Sequence, residues 1–272
     1  MNYQGITKKF VPIRDRHLIG IKNRWFTEPQ VNCTGSRLLP ELANWFRSTK
    51  CNNITGWDEF PYTDITMGNT HFIESVALKY KWDFQIPPHE YAYYTLMGKM
   101  PTENGRLEPG KPLMISLPNW RWADLRPDWE DILKECEIKK IDIHIDCAWI
   151  TVAKNIDIDL SHPCIKSFAM SLSKYSMEWN RIGVRWTRQR TMDSITIFNH
   201  YYGDVNSALS SAGNFIIKNL DRDYAWHNYT GRHHQVCNEH NLLPSKLIHV
   251  AHQGDKTVGI GNLLSRLGPD SI

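Results

Sequence analysis

The sequence predicts an α/β protein built on a mostly parallel sheet with helices on both faces. Three observations point there. Short apolar runs bounded by Gly and Pro alternate with stretches whose apolar residues recur at helical spacing. Some runs, such as "PLMISLPN", are continuously apolar, the pattern of a strand buried on both faces. Polar residues recur just beyond the strand ends, where sheets of this kind bind ligands.

Residues 1–30 read as an irregular arm, and 36–49 as a helix with Pro40 near its start. Residues 50–62 are rich in turn formers. "YTDITMG" (62–68) reads as a strand ending at Gly68, and "NTHFIESVALKYK" (69–81) as a helix with Phe72, Ile73, Val76, Ala77 and Tyr80 on one face. "WDFQIP" (82–87) reads as a strand stopped by Pro87 and Pro88, and 90–100 as a helix. Residues 112–119 are the next strand. A helix over 126–139 follows, with Pro127 in its first turn. Strands are expected over 140–149, 165–175 and 181–188, then a helix over 206–220.

At 272 residues the chain is one large domain, or a large one with a small appendage. Its 41% hydrophobic and 22% charged residues are ordinary for a protein that buries a core. A net charge of +3 does not force a nucleic-acid partner. "RWTRQR" (185–190) and "GRHH" (231–234) are basic, and read as solvated ends of elements. No apolar run reaches the length of a membrane span, and the N-terminus has no apolar signal core, so neither span nor secretory leader is expected. The six cysteines form no CxxC pair, which fits reduced thiols in a cytoplasmic protein. "GRHHQVCNEH" (231–240) has zinc-ligand residue types without the paired spacing, so no metal is expected.

The strand ends carry the chemistry. Gly68, Asn69 and Thr70 open a helix, where free N–H groups could cap it or hold a phosphate. Tyr91 sits in "PPHEYAYY", with a ring that could stack on a planar ligand or pack in the core. Asn119 ends "SLPN". Asp146 ends "IHID", in an apolar run where an unpaired carboxylate is costly and needs a cationic partner. Ser171, Ser173 and Lys174 follow the next strand, then Arg181. A lysine between hydroxyls at a cleft could be a reacting amine or a solvated charge. In this order the residues suit a phosphorylated pyridine aldehyde: cradle, ring, ring-nitrogen partner and amine.

Residues 64–187 resemble the fold-type I pyridoxal-phosphate enzymes, the aspartate-aminotransferase-like superfamily. The resemblance rests on "DITMGNTHFIESVAL", "PPHEYAYY", "SLPN", "IDCAW" and "SLSKYSMEWNRIG". It implies a three-layer α/β/α large domain over 51–220, preceded by an arm and helix (1–50) and followed by a reduced small domain (221–272). It implies pyridoxal 5'-phosphate as cofactor and Lys174 as its Schiff-base lysine. Asp146 would partner the pyridine nitrogen, Tyr91 would stack on the ring, and Asn119 would reach the phenolic oxygen. Gly68, Asn69, Thr70, Ser171, Ser173 and Arg181 would hold the phosphate. Trp149 stands where the family has a tyrosine, and Lys174 and Arg181 are one residue closer than in typical members. Arg266, in "VGIGNLLSRLG", would bind the substrate carboxylate.

The activity so implied is an aminotransferase working on an amino acid or other amine, as a homodimer with shared sites. The alternatives are a decarboxylase or lyase, including one acting on a nucleotide-linked amine, and a non-catalytic binding module of the same fold.

Overall fold

The computed structural model describes residues 6–28, 32–97, 102, 105–175, 180–202 and 206–270. Two helices come first, α1 (Arg16–Thr27) and α2 (Gly35–Arg47). The arm expected to be irregular thus contains a helix. Asp15 caps it, accepting the Leu18 N–H at 2.6 Å, and it buries Leu18 and Ile21. Then come β1 (Asn53–Thr55), β2 (Tyr62–Thr66), α3 (Gly68–Lys79), the short α4 (Ala92–Leu96) and β3 (Leu113–Ser116). The middle of the chain supplies α5 (Trp129–Lys139), β4 (Ile143–Asp146), β5 (Asp157–Asp159), β6 (Ile165–Ser171) and β7 (Gly183–Thr187). It closes with α6 (Ser194–Ile197), α7 (Ser207–Asn219), α8 (Tyr224–Glu239), a β8 (Leu243–Pro244), β9 (Val250–Gln253), β10 (Lys256–Gly259) meander, and α9 (Gly261–Leu267).

The central sheet has the order β2-β7-β6-β4-β3. β3, β4 and β6 run parallel, and β7 lies antiparallel to both β6 and β2. The mostly parallel sheet is therefore as expected. The 82–87 strand is not formed: only Gln85 pairs, bridging to Leu113. Its N–H reaches Pro112 O and its C=O accepts from Met114 N–H, but Pro87 and Pro88 have no N–H to continue the ladder. The helix expected over 90–100 is confined to α4, because His89 turns the chain at φ +65°; residues 98–100 lie outside the described residues. The strands expected over 112–119, 140–149 and 165–175 end at Ser116, Asp146 and Ser171.

Strand alternation makes the three layers. On β6, Phe168 and Met170 point into a core shared with Leu38, Leu42 and Phe46 of α2 and Ile216 of α7. Ala169 faces the other way, into a cluster with Phe72, Ile73, Val76 and Ala77 of α3. Phe168 and Trp186 stack in parallel at 5.0 Å on the α2 face. Fully burying a side chain of this size contributes about 1.5–3 kcal/mol. A separate cluster joins Trp226, Tyr229 and Val236 of α8 with Ile248, Ala251, Ile260 and Leu264. The N-terminal segment is tied to it by a Thr7–Gly259 bridge and by Asp15, which accepts from the Tyr224 and Tyr229 hydroxyls at 2.7 Å each.

Candidate active site

The ends of β3, β4 and β6, the start of α3 and the residue leading into β7 converge on one cavity of about 820 Å³. Gly68 turns the chain from β2 into α3 at φ +79°. A Cβ there would come 2.6 Å from the Arg181 carbonyl oxygen. Glycine thus lets the helix start and the Arg181 backbone touch. Gly68, Asn69 and Thr70 line the cavity at the N-terminus of a helix of 12 residues, where backbone N–H groups favour an anion.

Asp146 reaches the cavity from the end of β4, only 4% exposed. Its Oδ1 accepts from Asn69 Nδ2 and, at 3.0 Å, from Ala148 N–H, and its Oδ2 accepts from the Tyr94 hydroxyl at 3.4 Å. Burial pushes its carboxyl above the usual range; these hydrogen bonds and the Lys174 charge pull the other way. Asn69 also donates to Ala169 O at 2.9 Å, so its amide N–H groups serve Asp146 and the sheet.

Lys174 follows β6 and lies with its Nζ 4.4 Å from the centre of the Trp149 ring, a cation–π contact. Trp149 in turn meets Phe10 edge-on at 5.8 Å, and Phe10 meets Trp120 at 6.0 Å. Ser173 lines the cavity, and its Oγ is 2.9 Å from that of Ser171. Tyr91 lines it too, 47% exposed, stacked on Tyr93 at 6.1 Å.

Of the sequence-predicted residues, Gly68, Asn69, Thr70, Tyr91, Asp146, Trp149, Ser173, Lys174 and Arg181 thus share one cavity. Ser171 stands behind Ser173, fully buried. Asn119 does not line the cavity: its amide donates to His89 O and Glu90 Oε1, and its Oδ1 accepts the Arg121 N–H at 2.8 Å. Arg266 is exposed on α9 and is not among the lining residues.

Sequence reasoning missed Glu90, Arg121, Lys8, Lys9 and Lys256, which also line the cavity. Glu90 accepts the Ser116 N–H at 3.0 Å and the Asn119 amide at 3.2 Å, and lies 3.5 Å from Arg126. Burial pushes its carboxyl up to about 8, against the pull of Ser116 and Arg126. A carboxylate inside "PPHEYAYY" was a visible signal. The lysines come from the two ends of the chain, and no local pattern joins them.

No family model matches the chain, and no curated protein matches it in sequence. Solved structures do match it in shape. A double mutant of Thermus thermophilus aspartate aminotransferase superposes with a TM-score of 0.60 at 12% identity, covering 91% of this chain and 77% of that one. The pyridoxal-phosphate-bound C-S lyase of Staphylococcus hominis, complexed with L-cycloserine, gives 0.55 at 12%, covering 92% and 76%. The L-threonine-O-3-phosphate decarboxylase of Porphyromonas gingivalis gives 0.53 at 14%, covering 88% and 83%. The chain has the fold of the fold-type I pyridoxal-phosphate enzymes, the aspartate-aminotransferase-like class. At these identities the likeness is one of fold.

Proposed function

We propose that the chain is a pyridoxal-phosphate enzyme acting on an amino acid or another amine, and in the first instance an aminotransferase. One observation carries this: a lysine amine, a buried carboxylate and a glycine-to-arginine turn at a helix start share one cavity of about 820 Å³. That volume suits a cofactor together with a small substrate.

The residues fit the group. Asp146 is buried and has no ion-pair partner among the described residues. A protonated pyridine nitrogen supplies the missing positive charge. The N–H groups opening α3, with Thr70, Ser173 and Arg181, form the phosphate end, and the tight Gly68–Arg181 approach holds that end together. Tyr91 covers the ring. When bound, the cofactor supplies an electron sink for charge developing on the substrate carbon. Lys174 Nζ is the amine that anchors it, and the base that takes and returns the proton at that carbon. Trp149 limits where that amine can swing. Tyr94, Ser116 and Asn69 keep Asp146 oriented.

Arg266 lies on α9 outside the lining of the cavity. Arg121 and Lys256 line the cavity and take its place as the carboxylate-binding cations of this reading. Tyr91 and Arg181, both exposed at the cavity wall, are where a second subunit of a homodimer would complete the site.

Transamination, decarboxylation and elimination differ in which substrate bond stands perpendicular to the ring. The test is to incubate the full chain, loaded with pyridoxal phosphate, with a panel of amines and 2-oxo acids and to identify the products. Amino-group exchange supports the aminotransferase; carbon dioxide, or a released thiol or phosphate, assigns the decarboxylase or lyase. No cofactor-dependent product from any amine would remove the enzymatic reading and leave a binding module.

A further inference from the structure

The opposite end of the sheet holds a second cavity, of about 730 Å³. It lies between the last turns of α3 (Ser75, Val76, Lys79), the starts of β4 and β6, the end of β7 and residues 188–193. The strand register sets His144, Ser167 and Thr187 side by side along its floor. The same face carries Met114 and Ala169 in the packed cluster under α3, and Arg185 with Asp64 beside them.

The row is incompletely satisfied. His144 is settled: its ring nitrogens lie 2.6 Å from Ser167 Oγ and 3.0 Å from the Tyr80 hydroxyl, and burial pushes its pKa down to about 3, so it is neutral. Thr187 is 4% exposed and its Oγ1 has no hydrogen-bond partner among the described residues; Arg185 is 2% exposed and its Nε has none there. Both groups are donors, and leaving buried donors unpaired is costly.

The charges divide in the same way. Arg185 is paired with Asp64 and Asp193, Arg188 with Glu59, and Lys166 with Asp142 at 3.5 Å. Lys79 rests beside the Tyr80 ring at 4.9 Å, and Arg190 lies against His200. Neither is in an ion pair among the described residues. Two cations outside any ion pair among the described residues, with Asp142 and Asp193 near Lys79, line the same space as a buried hydroxyl that has no hydrogen-bond partner there.

We propose that this cavity binds the oxyanion of a small phosphorylated or carboxylated molecule, held by Lys79, Arg190 and the Thr187 hydroxyl. The site is independent of the cavity at the other end of α3 and stands whether or not pyridoxal phosphate binds there. Inorganic phosphate is the probe, titrated into the full chain at low ionic strength and followed by phosphorus NMR line width. Arg181→Ala removes one of the groups assigned to the phosphate end of the other cavity and so weakens binding there. In this background phosphate binding persists within about twofold. Adding Lys79→Ala and Arg190→Ala, both surface positions, weakens it about tenfold or more, and Thr187→Val weakens it severalfold. Displacement of phosphate by acetate at equal concentration shows that carboxylates are ligands; lack of displacement shows that the site selects phosphate. Binding that vanishes with Arg181→Ala alone, or that the Lys79 and Arg190 substitutions leave unchanged, overturns the proposal.

Discussion

Gly68 is the residue on which the geometry of the candidate site turns. Its φ of +79° is open to glycine, and the space a Cβ would need is filled by the Arg181 carbonyl at 2.6 Å. Gly68→Ala is therefore expected to cost about 1–3 kcal/mol in urea unfolding. It should also weaken pyridoxal phosphate binding, because it forces apart the helix start and Arg181. Unchanged stability and affinity would show that the contact is not needed. Asp146 shows a second residue-scale effect. Burial raises its carboxyl, yet Asn69, Ala148 and Tyr94 donate to it, so it is held ready for a positive partner. Asn119 is the counter-example. The sequence places it at a strand end, as a ligand residue would be, but β3 stops at Ser116 and the turn beyond directs its amide to Glu90 and its oxygen to the Arg121 N–H.

Among the elements, β4 carries the most. It is buried on both faces, and its Ile145 is inaccessible to solvent, in the core with α2 and α5. Ile145→Ala should cost about 2–5 kcal/mol, and Ile145→Val about 0.5–1.5, by chemical denaturation. A smaller alanine effect would mean that the core collapses around the gap. Most of the sheet was legible in the sequence because its strands are apolar runs between turn formers, and the residues just past them came to one edge. That is why Gly68, Asp146, Ser173 and Lys174 could be singled out. The failures have physical causes. The 82–87 run has strand composition, but its prolines leave one paired residue. α1 was hidden because only Leu18 and Ile21 mark its buried side. Lys8, Lys9 and Lys256 meet only because Thr7 bridges Gly259, a contact between chain ends that no local pattern encodes.

At the scale of the whole molecule, buried titrating groups set the response to pH. His144 and His249 are pushed down to about 3 and His233 to about 4, in each case first by burial. Below about 6.5 their unfolded forms take up protons that the folded forms refuse, so stability falls as the pH is lowered. Glu90 acts oppositely. Its folded carboxyl stays protonated up to about 8, so stability falls as pH rises from its ordinary value of 4.5 to about 8. Where the windows overlap, the three histidines outweigh Glu90. Urea midpoints measured from pH 4 to 8 should therefore peak near 6.5, and Glu90→Gln should flatten the alkaline side. A steady rise to pH 8 would contradict this. The central claim concerns chemistry, and the most direct measurement is chemical. The full chain is mixed with pyridoxal phosphate, reduced with borohydride and digested, and the labelled peptide is sequenced. The account predicts one stable adduct, on Lys174, and none with Lys174→Ala; label spread over surface lysines, or undiminished in Lys174→Ala, would contradict it.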